Sequence, residues 1–198
     1  MLKLLIATGN RGKLHEIQDL LKDTPITLLT PADLSLEIHV DETGVTYAEN
    51  AALKAHAYAQ ASGLPTLADD SGLEVDTLNG APGLYSARYL PQNGATDADR
   101  RAYLVENLRG FSRPWGARFI CVVALAMLGG GPVFYEGICS GEIIPEERGT
   151  NGFGYDPIFL VAGTDRTMAE LTMDEKNTLS HRARAIIAAR DAIERLGT

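Results

Sequence analysis

Only two cysteines, Cys121 and Cys139, occur in 198 residues, and no Cys-x-x-Cys pair is present. That speaks against a zinc ribbon and against a scaffold held together by disulfides. Four histidines, His15, His39, His56 and His181, form no ligand pair at metal-binding spacing. Any metal should therefore be a hard ion held by carboxylates and phosphate oxygens. Basic residues are also in short supply, with 18 Lys and Arg against 26 Asp and Glu for a net charge of −8. A nucleic-acid polymer is an unfavourable partner, because counterion-releasing binding needs a basic face, whereas a small polyanion needs only a few local cations. No apolar run is long enough for a membrane span; the longest, residues 119–128, is half of one and ends in three glycines. The opening Met-Leu-Lys-Leu-Leu-Ile-Ala is too short for a signal peptide. The two cysteines lie equidistant from Gly130, so a hairpin centred there would bring them close. In a chain without an export signal, buried free thiols are the favoured reading. These shortages point to an acidic, cytoplasmic protein with no membrane partner.

No repeat, low-complexity tract or linker interrupts the chain, so one domain over residues 1–198 is expected, burying roughly 70% of its unfolded surface. A short apolar strand, residues 3–7, feeds a glycine loop and then an amphipathic stretch with Leu14, Ile17, Leu20 and Leu21 on one face. Extended segments are expected at 27–29 and 36–40. Thr46-Tyr47-Ala48-Glu49 is a capping-box pattern opening an alanine-rich helix from Tyr47 to Ser62, stopped by Gly63. Strands are expected at 66–68 and 73–78, on either side of Asp69-Asp70-Ser71-Gly72. A helix should run from Asp97 to Leu108, closed by Gly110. Two long strands, 118–128 and 132–144, are joined at three glycines, and a further strand covers 158–161. Ser180 should cap a final helix burying Ile186, Ile187, Ile193 and Leu196. Helices interleave with strands but the middle is a hairpin, so an α/β fold around a mixed sheet is expected rather than a purely parallel one.

Chemistry could sit in several places. Thr8-Gly9-Asn10-Arg11-Gly12-Lys13 lies between strand and helix, where unpartnered amides and the positive end of the helix dipole suit phosphate. It is not a Walker loop: two residues separate Gly9 from Gly12, and Leu14 follows the lysine, so no hydroxyl is offered to a metal. A turn that uses Gly and Asn for positive φ is the competing reading. In the Asp69-Asp70-Ser71-Gly72 cluster, strand alternation makes the two acids point apart, so only one can share a site with a given ligand. Such acids serve magnesium or simply begin a turn. Glu42 is a loop acid before the capped helix, and Lys54 sits on that helix among small neighbours. Gly152-Phe153-Gly154-Tyr155-Asp156-Pro157 reads either as a platform on which a base stacks or as a turn with two rings tucked into the core. Lys176, His181 and Arg182 lie at or just before the start of the last helix, where cations make more sense if an anion is present.

Taken together and in this order, these segments closely resemble the inosine triphosphate pyrophosphatase family, which hydrolyses ITP, dITP and XTP. The resemblance runs almost end to end. It is carried by Thr8 to Lys13, by Glu42-Thr43-Gly44 with Glu49-Asn50-Ala51, and by Asp69-Asp70-Ser71-Gly72-Leu73. Gly80-Ala81-Pro82-Gly83 with Ser86-Ala87-Arg88-Tyr89, then Gly152 to Pro157, and Lys176-Asn177 with Ser180-His181-Arg182-Ala183 complete it. The resemblance implies that Thr8, Gly9, Asn10, Arg11, Gly12 and Lys13 hold the triphosphate, helped by Lys54 and Ser71. It implies Mg2+ at Glu42 and Asp70, with Asp70 also the proton acceptor for the attacking water. Phe153, Gly154, Tyr155 and Asp156, then Lys176, His181 and Arg182, would enclose the purine. A two-lobed α/β structure on a long mixed sheet, with the nucleotide in the cleft between lobes, and a homodimer are further implications. The alternatives are a pyrophosphatase of the same fold for modified pyrimidine nucleotides, or a non-catalytic nucleotide-binding module.

Overall fold

The computed structural model describes residues 2–196. Strand β1 (Leu2–Ile6) runs parallel to β2 (Ile26–Leu29), with Leu4 opposite Leu28, and parallel to β3 (Thr66–Val75), with Leu5 opposite Thr66. Parallel neighbours need crossover connections. Helix α1 (Arg11–Leu21) lies in the chain between β1 and β2, and α2 (Tyr47–Ser62) between β2 and β3. The two-residue β4 (Pro82–Gly83) pairs antiparallel with β3. After α3 (Asp97–Leu108) come β5 (Trp115–Ala126), β6 (Val133–Ile143) and β7 (Phe159–Val161), the last two antiparallel. The seven strands form one sheet in the order β2-β1-β3-β5-β6-β7, with β4 beside β3. The fold is therefore an open mixed sheet with helices, as the interleaved pattern required.

Helix ends follow local chemistry. Thr46 accepts from the Glu49 amide at 3.1 Å and Gly63 closes α2 in the left-handed region at φ +69°. The Glu49 carboxylate accepts from the Val45 amide at 2.6 Å, one residue before the cap. Thr96 and Asp99 form a full capping box on α3.

The described chain divides into two compact units. Unit 1 comprises residues up to 71, then 121–137, and the chain from 182 onward; unit 2 comprises 72–120 and 138–181. Unit 1 has an aliphatic core of Leu4, Ile6, Ile17, Leu67, Val123, Ile186 and Ile193, and a second cluster whose buried members are alanines, Ala7, Ala51, Ala55, Ala59, Ala68, Ala124 and Ala126, with Tyr58 packed against them. Unit 2 has an aromatic-rich core including Leu104, Leu108, Trp115, Phe119, Tyr155 and Phe159.

Three expectations are corrected and one helix is added. Residues 36–40 join no strand. The Asp69–Gly72 segment is no break, because β3 runs through it without interruption. A short helix that the sequence did not suggest, α4 (Met173–Leu179), holds Lys176, and α5 (His181–Arg195) begins after Ser180 as expected. On α5, Ile186 and Ile193 are buried as expected, but Ile187 is 54% exposed, and Arg182, Ala185 and Ala189 complete the buried face. Both cysteines are buried and neither forms a disulfide. Among the described residues no helix is long and apolar enough to cross a membrane.

Candidate active site

The loop after β1 enters α1 through Asn10, whose side-chain oxygen accepts from the Lys13 amide at 3.0 Å, while the Asn10 amide donates to Thr8 Oγ1 at 3.2 Å. The first turn of α1 carries no acid, so nothing within it neutralises the positive end of the helix. The loop's glycines and Asn10 do not serve the backbone in the way that the turn reading required. Asn10 has φ −84°, and neither Gly9 nor Gly12 is among the positive-φ glycines. A Cβ added at Gly9 would meet nothing within 4 Å. Open space beside free helix amides is what a phosphate oxygen needs.

From this loop Lys13 reaches back to Asp69 on β3, Nζ to Oδ2 at 3.0 Å. Asp69 is 2% exposed and also accepts from Arg182 Nε at 3.3 Å and from the Cys121 thiol at 3.8 Å. Burial alone would raise its pKa, but the charges of Lys13, Arg182 and Lys54 outweigh burial and hold the carboxyl well below the usual range. Arg182, itself 1% exposed, pairs through Nη1 with Glu16 of α1 and donates from Nη2 to Ser71 Oγ at 3.0 Å. Burial opposes its charge, but Asp69 and Glu16 prevail and raise its pKa further. Arg182 thus sits with the carboxylates of unit 1, whereas Lys176 and His181 belong to unit 2.

Asp70 has a different set of partners, as strand alternation demands. Asn50 Nδ2 of α2 donates to its Oδ2 at 3.2 Å, and Lys54 Nζ, one helical turn on, lies 3.8 Å from Oδ1. Lys54 is held harder by Glu42, Nζ to Oε1 at 2.7 Å. Asn50 is fixed in turn: its Oδ1 accepts from the Gly44 amide at 2.8 Å, and a Cβ at Gly44 would fall 2.7 Å from that oxygen. Burial dominates at Asp70 and raises its pKa, despite the opposing pull of Lys54, Lys13 and Asn50; Glu42 adds to the rise. Lys54 is raised as well, since Asp69, Asp70 and Glu42 together outweigh its burial. The implied phosphate and metal residues therefore come together in unit 1.

In unit 2, Asp156 and Lys176 form a buried pair, Nζ to Oδ2 at 2.6 Å, and the same oxygen accepts from the Phe153 amide at 3.0 Å. Gly152 makes this possible: at φ +77°, any Cβ would lie 2.0 Å from Asp156 Oδ2. Lys176 also sits over the Phe153 ring at 5.3 Å. The two rings of this loop part company. Tyr155 is tucked into the core, its hydroxyl donating to the Ser86 carbonyl at 2.9 Å, while Phe153 stays half-buried. The Gly154 amide donates to Asp97 Oδ2 at 2.8 Å and its carbonyl accepts from Arg101 at 2.9 Å, so α3 steadies the loop. His181 stacks on Phe119 with ring centroids 4.7 Å apart.

Reading the sequence gave no role to Glu16, Asn50, Asp97 or Arg101, and no partner to Asp69. Asn50 left a signal, lying four residues before Lys54 on the same helical face. Glu16 left little, since an acid beside Ile17 reads as solvent-facing.

A glycine loop opening a helix, with buried carboxylates and lysines beside it on a mixed sheet, defines an α/β protein equipped for a small polyanion. The Ham1 family profile matches residues 4–192. A dITP/XTP pyrophosphatase of Desulfotalea psychrophila is 47% identical over 92% of this chain and 81% of its own. One from Thermus thermophilus is 47% identical over 96% of this chain and 91% of its own. A HAM1 protein structure from Coxiella burnetii superposes with TM-score 0.89 at 42% identity, covering 98% of this chain and all of that one. The chain belongs to the Ham1 family, which bears out the resemblance drawn from its motifs.

Proposed function

We propose that this chain is a nucleoside triphosphate pyrophosphatase that hydrolyses deaminated purine nucleoside triphosphates, ITP, dITP and XTP, to the monophosphate and pyrophosphate. The relatives' activity supports the reaction class. The observation that carries the chemistry is Asp70: a buried carboxylate oriented by Asn50, beside Lys54 and Glu42, with its pKa raised by burial. A carboxylate in such a place is a better proton acceptor than one in water. Asp70 takes the proton of the water that attacks the α-phosphorus. Lys13, the loop amides and Lys54 stabilise the charge that builds on the departing pyrophosphate.

The donor set suits a hard divalent cation. Glu42 and Asp70 both turn oxygens toward one ammonium, Lys54 Nζ, and so already converge on a single positive centre. We assign Mg2+ to these two carboxylates. When bound with the nucleotide it supplies further screening of a substrate of charge about −4. Phosphate binding belongs to Thr8, Gly9, Asn10, Arg11, Gly12, Lys13, Lys54 and Ser71. Phe153 supplies a stacking face, with Gly154 and Asp156 holding its loop and Tyr155 anchoring that loop in the core. Lys176 and His181 offer donors to a 6-oxo group, which adenine lacks. Arg182, held among carboxylates, orders Ser71 and Asp69 beside the phosphate loop. The resemblance supports a homodimer, working in the cytoplasm where the nucleotide pool is held.

Incubation with Mg2+ and a panel of triphosphates tests the proposal. ITP and XTP should yield pyrophosphate and a monophosphate, with dGTP turned over far more slowly. Release of orthophosphate would overturn the mechanism. A preference for modified dTTP would reassign the substrate class, and binding without turnover would leave a sensor.

A further inference from the structure

Asp69 is not explained by the reaction. It shares a strand with Asp70 but meets other partners, Lys13, Arg182 and Cys121. A carboxylate 2% exposed in a strand core is costly unless its charge does something an apolar side chain could not. Its partners form an alternating row: Glu16 pairs with Arg182, Arg182 with Asp69, and Asp69 with Lys13. Lys13 ends the row and is its most accessible member, with 16% of its side chain exposed against 5% or less for the others. The row therefore runs from the interior to the phosphate loop. Asp69 Oδ2 takes three donors, while Oδ1 is buried with no hydrogen-bond partner. All of Asp69's pairing with Lys13 is thus concentrated on one oxygen, which an incoming phosphate oxygen can replace.

We propose that Asp69 is a resident counter-ion for the phosphate loop. It holds the Lys13 ammonium when the loop is empty, competes with phosphate for it when the loop is filled, and reclaims it as pyrophosphate leaves. Asp69 is in this sense a positioning residue whose negative charge caps the affinity for pyrophosphate and so speeds product release. The proposal rests on the reading of Thr8 to Lys13 as the phosphate loop.

The test is the affinity for inorganic pyrophosphate at fixed Mg2+, measured by calorimetry on the wild type, Asp69→Asn, Lys13→Met and the double variant. Removing the competing anion should tighten pyrophosphate binding on the order of tenfold and make product inhibition of ITP turnover correspondingly stronger. The gain should vanish in the Lys13→Met background. Loss of packing or order only weakens binding, so tightening separates this role from a structural one. Weaker binding by Asp69→Asn, or the same gain without Lys13, overturns the proposal. Equal binding by wild type and Lys13→Met removes the phosphate loop itself, and the proposal with it. Should Asp69→Asn fail to fold, the wild type decides: the 13C-carboxyl resonance of Asp69 should move as pyrophosphate saturates the site. An unmoved resonance overturns the exchange.

Discussion

Asp69 in unit 1 and Asp156 in unit 2 are both buried carboxylates facing a lysine, but they are built differently. Asp69 spreads over Lys13, Arg182 and Cys121, keeps one oxygen unpartnered, and lies beside a loop where Gly9 leaves open space. Asp156 Oδ2 is committed to Lys176 and the Phe153 amide, under a glycine whose Cβ would collide with it. The first arrangement tolerates exchange of partners; the second fixes a loop. A polyanion is bound by available positive charge, whereas a base is recognised by donors and rings that do not move.

The comparison can be broken most severely at Asp70. Asp70→Asn should lower ITP turnover by about 10³-fold while calorimetry still shows ITP binding; full activity would take Asp70 out of the mechanism. Next come the lysines. Lys176→Met removes the cation from a buried ion pair and should cost about 3–5 kcal/mol in urea denaturation. Lys13→Met should cost about 1 kcal/mol or less, because Asp69 keeps Arg182. Equal losses would erase the contrast between the two carboxylates.

Glycine substitutions sharpen the same point on a smaller scale. Gly152→Ala should destabilise the protein by about 1–3 kcal/mol through its positive φ and the clash with Asp156. Gly9→Ala should stay within about 0.5 kcal/mol of wild type in stability while raising the Michaelis constant for ITP severalfold. The smallest effect is one of pH. Burial pushes the Tyr155 hydroxyl well above its ordinary 10.0, outweighing the nearby Arg100. The folded state thus keeps a proton that the unfolded state loses, and stability falls as pH rises past that ordinary value. Alkaline denaturation curves should show this slope in the wild type and a shallower one in Tyr155→Phe.

What the sequence made legible was local. The bounds of α2 and α3 coincide with expectation because Thr46, Gly63, Thr96 and Asp99 act within a turn of their own helices. The family was legible because its motifs are short and ordered. The continuity of β3 was not, since Asp69 to Gly72 has the local signature of a turn. Distant groups overrule that signature: Lys13 and Arg182 compensate Asp69, Asn50 and Lys54 compensate Asp70, and no window of sequence contains them together. The buried face of α5 was misjudged for the same reason. Arg182 belongs inside only because Glu16 and Asp69 await it, and with Arg182 turned inward Ile187 turns out.

The alanine cluster of unit 1 sets a tolerance as well as a packing surface. Ala51, Ala55 and Ala59 of α2 meet Ala7, Ala68, Ala124 and Ala126 with side chains that have no rotamers to adjust. The spacing between helix and sheet is consequently a fixed gauge, one methyl deep from either side. Asn50 and Lys54 hang from that helix, so the gauge also sets their reach to Asp70. Widening it by the two methyl groups of a single Ala55→Val change would act on Asp70 as a shim acts on a bearing.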